Sequence, residues 1–257
     1  MALHVLSRQT HKDLRLLRPA QPWAFARTRM IAGLVAPELA EAGKSLPIAF
    51  SRNGDRVNVL CLMGLGDQNL LINAQGDWIG SYIPAVLRAW PFALVQQGDQ
   101  RIIGLDDESE AFSTVEGEPL FDEEGNPSER LQKTVKFLQT FSDQEQVMAR
   151  AVNALDEAGL LVPWDLSVTR TDGTGLNIAG LLQVDRAAFE ALPDEEFLKL
   201  RQNGALPLVY AHVFSQRNVA HLEILAKKRD AAATPVTSEA DADLPQALYI
   251  TDDYLKF

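Results

Sequence analysis

Two side chains near the start of the chain have the types and spacing of metal ligands. His11 and Asp13 form an H-x-D motif, and His212, in the segment VYAHVFSQ, is a distant candidate for a third ligand. Two imidazoles and one carboxylate bind Fe(II) on one face and leave positions open for oxygen and a substrate. As one alternative, these residues predict a metal-dependent, Fe(II) oxygenase-like enzyme acting on a small molecule or peptide, with all three as catalytic and metal-ligand candidates.

The same histidines have a structural interpretation that needs no metal. The segment around His11 is rich in arginine and not strand-like, so His11 is either exposed or hydrogen-bonded to Asp13. His212 lies in an otherwise apolar helical segment, where histidine rings usually bond to backbone or hydroxyl groups of the core. This interpretation favours a protein that binds no cofactor and catalyses no reaction.

An acidic segment, residues 106–129, contains ten aspartates and glutamates and no lysine or arginine. Carboxylates are ligands for Ca²⁺ or Mg²⁺, but their spacing here does not follow the twelve-residue EF-hand loop. The segment is interpreted as a solvated loop, and cation binding by it stays open. No G-x-S-x-G, P-loop, G-x-G-x-x-G or H-E-x-x-H motif occurs, so common hydrolase, nucleotide-binding and zinc-protease classes lack local support.

Aromatic side chains are concentrated between residues 78 and 92. The candidate ligand-binding residues there are Trp78, Tyr82, Arg88 and Trp90. Rings at this density stack on one another, and an arginine can lie over a ring face. The cluster is therefore either core packing or an exposed interaction platform, and the platform would suit a carbohydrate-binding module.

Composition places the chain among globular proteins and restricts its partners. The 257 residues are 46% hydrophobic and 23% charged, with a formal net charge of −11. An acidic surface repels polyphosphates, so nucleic acid is not an expected partner. The single cysteine, Cys61, can form neither an internal disulfide nor a zinc site of several thiolates, so stability must come from packing.

The chain has no apolar run of about 18 residues, the length needed to span a membrane. Residues 1–18 are interrupted by charges and lack the apolar core of a signal peptide. We expect a cytoplasmic protein that does not span the membrane, with cell-surface association by a route that reads some other signal left open.

Turn residues and hydrophobic spacing predict mainly strands in the first half of the chain and mainly helices in the second. The predicted strands are 47–51, 56–63, 69–73, 78–82, 92–96 and 101–105, followed by a hairpin of 160–170 with 174–184 around Thr171-Asp172-Gly173. The predicted helices are 37–43, 85–89, 128–158, 186–192, 194–204, 205–215 and 219–229. A capping box at 142–145 leaves open that 128–158 is two helices meeting near Ser142.

These elements predict an α+β fold, with an antiparallel, hairpin-rich sheet packed against helices in a single main domain, residues 1–229. Residues 230–246 lack aromatic side chains and are predicted to be a flexible linker. The last segment, 247–257, has enough apolar surface to dock on the domain or on a partner, so a protein partner or self-association is expected.

Several segments in order resemble the bacterial SapC-like family. They are GLGDQNLLINAQGDWIGSYIPAVLRAWPFAL (64–94), EGEPLFDEEGNPS (116–128), GLLVPWDLSV (159–168) and NGALPLVYAHVFSQRNV (203–219), with HKDLRL (11–16) and SLPIAF (45–50) before them. The resemblance spans roughly residues 4–226. It implies a non-catalytic protein associated with bacterial surface layers or with a protein partner, and it supplies no catalytic mechanism, cofactor or site residue.

Overall fold

Helices and antiparallel strands alternate irregularly in the computed structural model, which describes residues 3–98, 100–169, 173–233 and 247–249. The strands are β1 (His4–Val5), β2 (Arg15–Leu16), β3 (Ile31–Gly33), β4 (Ile48–Asn53), β5 (Arg56–Leu62), β6 (Phe92–Gln97), β7 (Gln100–Leu105), β8 (Phe112–Ser113), β9 (Glu118–Pro119), β10 (Leu161–Pro163), β11 (Leu166–Thr169), β12 (Gly175–Ala179), β13 (Leu181–Val184) and β14 (Ala247–Tyr249). The helices are α1 (Arg8–His11), α2 (Leu39–Ser45), α3 (Ala85–Arg88), α4 (Glu129–Glu157), α5 (Arg186–Glu190), α6 (Asp194–Gln202), α7 (Ala205–Ser215) and α8 (Val219–Ala233). The predicted α+β class is confirmed.

A five-stranded antiparallel sheet, in the order β10-β13-β4-β5-β3, lies at the centre of the fold. Its β4–β5 hairpin is the one predicted from 47–51 and 56–63, and β4 continues two residues further than predicted, to Asn53, which pairs with Arg56. Gly54 begins the two-residue loop at φ +55, a left-handed conformation that glycine adopts without a steric penalty. Buried residues of this sheet pack against α7 and the second half of α4, and they form the main hydrophobic core.

Helix α4 is one continuous helix of 29 residues. Ser128 caps its start by accepting a hydrogen bond from the Leu131 amide, and Gly159 follows its end at φ +67. The alternative of two helices meeting near Ser142 is wrong. The helix stays continuous because its first half packs on a second core cluster through Leu138, while its second half packs on the main core.

The second core cluster lies beneath the hairpin β6–β7, which pairs Phe92 with Leu105 as predicted. Strand β1 adds to this hairpin to give the order β1-β7-β6, and β8-β2-β9 forms another small sheet. The hairpin and α4 lie beside the start of β5, and a cavity is present between them.

Residues 69–73 and 78–82 do not form the predicted hairpin. They are joined by a single bridge between Ile72 and Trp78. The Asn69 side chain takes up hydrogen bonds of the backbone in this loop. It accepts one from the Leu71 amide and donates one to the Ala26 carbonyl. A strand ladder is replaced by a loop that wraps over the main core.

The single hairpin predicted over 160–184 is divided between two sheets. Strands β10 and β13 belong to the central sheet, whereas β11 and β12 pair with each other in a separate sheet that also contains β14. Between β12 and β13 the chain turns at Gly180, which has a φ of +83. The predicted turn residues Thr171 and Asp172 lie outside the described residues.

The end of the chain differs from the predicted domain plan in one detail. Helix α8 continues to Ala233, four residues into the predicted linker 230–246. Residues 234–246 and 250–257 lie outside the described residues, and Ala247–Tyr249 pairs in parallel with β12. Docking of the whole segment 247–257 stays a prediction. Among the described helices, none combines the length and hydrophobicity that crossing a bilayer requires.

Candidate functional site

A cavity of about 360 Å³ opens between β6, α4 and the beginning of β5. Its volume lies within the range of small-molecule sites. Apolar side chains form its walls, and arginine, asparagine, glutamine and glutamate side chains also line it. The lining residues are Leu3, Arg29, Arg56, Asn58, Val86, Ala89, Trp90, Phe92, Ala93, Leu94, Gln96, Arg101, Leu138, Phe141 and Glu145. We call this space the arginine cavity.

Helical and strand periodicities bring these residues to one place. Leu138, Phe141 and Glu145 are three and four residues apart, so they share one face of α4. Phe92, Leu94 and Gln96 alternate along β6, so they share one face of that strand. The apolar residues of both sets form walls of the cavity. The polar residue of each set, Glu145 or Gln96, is the last of its set along the chain.

Trp90 belongs to a layered arrangement of rings and charge. Its ring stacks on Phe25 with centroids 4.2 Å apart and an interplanar angle of 6°. The guanidinium carbon of Arg29 lies 5.5 Å from the centroid of the same Phe25 ring. The Trp90 Nε1 group is buried and has no hydrogen-bond partner within the described chain. The layers fix the tryptophan as a rigid wall of the cavity.

Three guanidinium groups contribute to the cavity lining, from three distant parts of the sequence. Burial lowers the pKa of Arg29, and the nearby Asp106 carboxylate opposes that effect. Arginine nevertheless remains a cation at any physiological pH, so Arg29 is a partly desolvated positive charge. The Asp106 carboxylate and the Phe25 ring already lie near this cation, so Arg29 adds a partly compensated positive charge to the cavity wall.

The other two arginines, Arg101 and Arg56, differ in whether a carboxylate of the protein already pairs with them. Arg101 forms an ion pair with Glu145 and lies 3.4 Å from the Ser142 hydroxyl. Arg56 is exposed and makes no ion pair with any residue that the structure describes. The cavity lining carries three positive charges and one negative charge in a chain whose net charge is −11.

A second cavity, of about 220 Å³, adjoins the first along α4. Both cavities are lined by Arg56, Asn58, Phe141 and Glu145. The second continues toward β3 and the buried residues Met148 and Val152. The pair forms a groove between α4 and β5, with Arg56 beside the junction.

The four predicted ligand-binding residues occupy different surroundings. Trp90 lines the arginine cavity, whereas Trp78, Tyr82 and Arg88 do not. Trp78 packs edge-on against Trp23 at 5.8 Å and donates a hydrogen bond from Nε1 to the Tyr82 carbonyl. The exposed Arg88 lies over the Phe137 ring at 5.6 Å. The predicted platform is therefore divided, with part serving packing and part lining a cavity.

Glu38 is a buried carboxylate that sequence reasoning missed. It accepts hydrogen bonds from the Val35 amide, the Ala85 amide and the Tyr82 hydroxyl, the last at 2.7 Å. Burial and the adjacent Glu38 carboxylate raise the pKa of Tyr82. Because these bonds tie the turn at 35–38 to the start of α3, we assign Glu38 a structural role.

His212 lies fully buried in the main core. Its Nδ1 donates to the Ile48 carbonyl at 2.8 Å, and its Nε2 accepts from the Val184 amide at 3.2 Å. This pattern corresponds to the neutral imidazole protonated on Nδ1. Burial lowers the pKa of His212 to about 4, against the smaller opposing effect of the Ile48 carbonyl. Both nitrogens thus hold strand backbone against α7.

His11 is buried beside a different carboxylate from the one predicted. Its Nε2 lies 3.3 Å from Asp107, which also contacts His4 at 2.6 Å, while Asp13 is exposed. The hydrogen bond to Asp107 raises the pKa of His4, and the hydrogen bond to His4 lowers the pKa of Asp107. In the chain as described, no three His, Cys, Asp or Glu side chains are grouped to hold a metal ion.

The family model for SapC matches residues 6–222, and the chain belongs to the SapC family. Every residue lining the arginine cavity except Leu3 lies within this range. No curated protein and no solved structure matches the chain.

Proposed function

We propose that this SapC-like protein acts without catalysis, as a surface-layer-associated binding protein. Its ligand is an anionic molecule with an apolar body, and the binding site is the arginine cavity. The observation that carries the proposal is the presence of three guanidinium groups beside apolar walls in a strongly acidic chain. The association with surface layers that the family resemblance implies supports a role at the cell surface.

The arginines of the cavity form a local positive site in a chain whose net charge is −11, so an anion is favoured at this cavity over the rest of the surface. A cleft with low-dielectric walls focuses the field of the charges that line it. Arg56 is the member best able to bind a carboxylate directly, since it makes no ion pair with the described residues. A guanidinium fork binds a carboxylate or phosphate through two parallel hydrogen bonds.

The walls favour an apolar body. Phe92 and Leu138 are buried, and Trp90 is held rigid by its stack on Phe25. Displacing water from such surfaces contributes about 25 cal/mol for each Å² of apolar area removed from water. A ligand that places its acid group near the arginines and its hydrocarbon against α4 and β6 uses both features.

Calorimetric titration with octanoate and with octanamide tests this proposal. The two molecules share a hydrocarbon chain and differ in the charge of the head group. We expect octanoate to bind at least about tenfold more tightly, because charge-assisted hydrogen bonds contribute about 1.5–3 kcal/mol. Arg56→Gln should remove most of this preference, and Arg150→Gln, which changes an exposed arginine of α4 outside the cavity, should retain it.

Four results would count against the proposal. Equal affinity for acid and amide, or an unchanged preference in Arg56→Gln, would remove the role of the arginines. Binding of a neutral oligosaccharide such as chitotriose, lost in Trp90→Phe, would favour the carbohydrate-binding alternative. Stoichiometric iron in the purified protein, lost in His11→Ala, would favour the oxygenase alternative.

A further inference from the structure

A row of contacting aromatic rings lies on the surface formed by α5, α6 and α7. Phe197 contacts Phe189 at 5.9 Å, Phe189 contacts Tyr210 at 6.1 Å, and Tyr210 contacts Phe214 at 6.3 Å between centroids. Three of these side chains are exposed, namely Phe197 (36%), Tyr210 (46%) and Phe214 (66%). We call the four rings the aromatic face.

Further apolar surface continues from the Phe214 end of the row. Phe214 borders a groove of about 410 Å³ between α2 and α7, whose walls include Pro37, Ala40 and Pro207. At the other end, Leu198 is 46% exposed beside Phe197. Contiguous apolar surface of this kind is typical of a protein–protein contact, whereas single exposed hydrophobic residues are common everywhere.

Opposite charges stand at the two ends of the aromatic face. Asp194, in the first turn of α6, is three residues before Phe197, and Arg217 is three residues after Phe214 and lines the same groove. Neither side chain forms an ion pair within the described residues. Lys199 already pairs with Glu195 and Glu196, and Lys44 with Glu41, whereas Asp194 and Arg217 are able to pair across an interface.

We propose that the aromatic face binds a second copy of this chain in a two-fold symmetric dimer. A two-fold axis across the row places the Asp194 end of one copy against the Arg217 end of the other, twice in each dimer. The rings are buried at the centre, where aromatic residues contribute most to association, and the charges lie at the rim. The rim pairs also offset the repulsion between two chains of net charge −11. This contact does not depend on the arginine cavity.

Sedimentation velocity of the full chain tests whether the dimer forms. We expect a dimer at micromolar concentration and a monomer for Phe214→Ser at the same concentration. The matched control is Ile224→Ser, which changes a 51% exposed side chain of α8 outside the row. A wild-type monomer up to about 100 µM, or a dimer that persists in Phe214→Ser, would overturn the proposal.

Charge exchange tests the two-fold arrangement itself. Arg217→Glu and Asp194→Lys should each weaken the dimer several-fold, because each places like charges at both rims. The double variant should dimerise again, and an equimolar mixture of the two single variants should form a heterodimer with both rim pairs restored. Circular dichroism checks that each variant is folded. Folded single variants whose mixture fails to associate would overturn the arrangement.

Discussion

At the scale of single residues, the structure reassigns the side chains that first suggested chemistry. His212 was a candidate metal ligand, and its two nitrogens instead bond to the backbone of β4 and β13. Its core environment was predictable from the apolar segment VYAHVFSQ. The arginines of the cavity were not predictable, because Arg29, Arg56 and Arg101 come from different elements and share no local motif.

The buried neutral state of His212 makes stability depend on pH. Its folded pKa of about 4 lies below the ordinary value of 6.5, so between these values the unfolded chain binds the proton more readily. The free energy of unfolding should therefore fall as pH decreases from 6.5 to 4, by about 3 kcal/mol from this residue. Urea unfolding across this range measures the effect.

His212→Gln also alters buried hydrogen bonds and so changes stability at every pH. The slope of the free energy of unfolding against pH is therefore the quantity to compare. That variant should lose the contribution of His212 to the slope, whereas His221→Gln, at an exposed position, should keep it. A slope unchanged in His212→Gln would mean that the imidazole is not held neutral by its burial.

At the scale of elements, α4 determines where the cavity forms. Its hydrophobic spacing predicted a helix over 128–158, and the structure has one over Glu129–Glu157. The capping box at 142–145 was misleading, because Ser142 and Glu145 serve contacts with Arg101 and do not begin a new helix. Local sequence could not reveal this, since the contact joins α4 to β7 across more than forty residues.

Asp143→Pro distinguishes one helix from two. Proline is tolerated at the first position of a helix, which residue 143 would occupy if a second helix began after Ser142. Inside a continuous helix the same change removes a hydrogen bond and should cost about 3 kcal/mol or more. Chemical denaturation of Asp143→Pro, with Asp143→Ala as the control, measures the cost. A loss below about 1 kcal/mol for the proline variant would contradict the continuous helix.

At the scale of the whole molecule, positive charge is concentrated at one cavity, and the buried apolar residues form separate clusters. The chain carries −11, yet three arginines line one cavity, and α4 links the two core clusters beside it. Turn residues and hydrophobic periodicity predicted the α+β class and the hairpins β4–β5 and β6–β7. They could not predict that β10 and β13 join the central sheet, because strand order depends on contacts between distant segments.

The most direct test of the proposed function is to locate a bound ligand on the protein. An octanoate analogue with a diazirine on its hydrocarbon chain can be crosslinked by ultraviolet light and mapped by peptide mass spectrometry. We predict labels in the peptides containing Phe92–Leu94 and Leu138–Phe141, suppressed by excess octanoate and reduced in Arg56→Gln. Labels confined to the groove between α2 and α7, or unaffected by octanoate, would contradict the account.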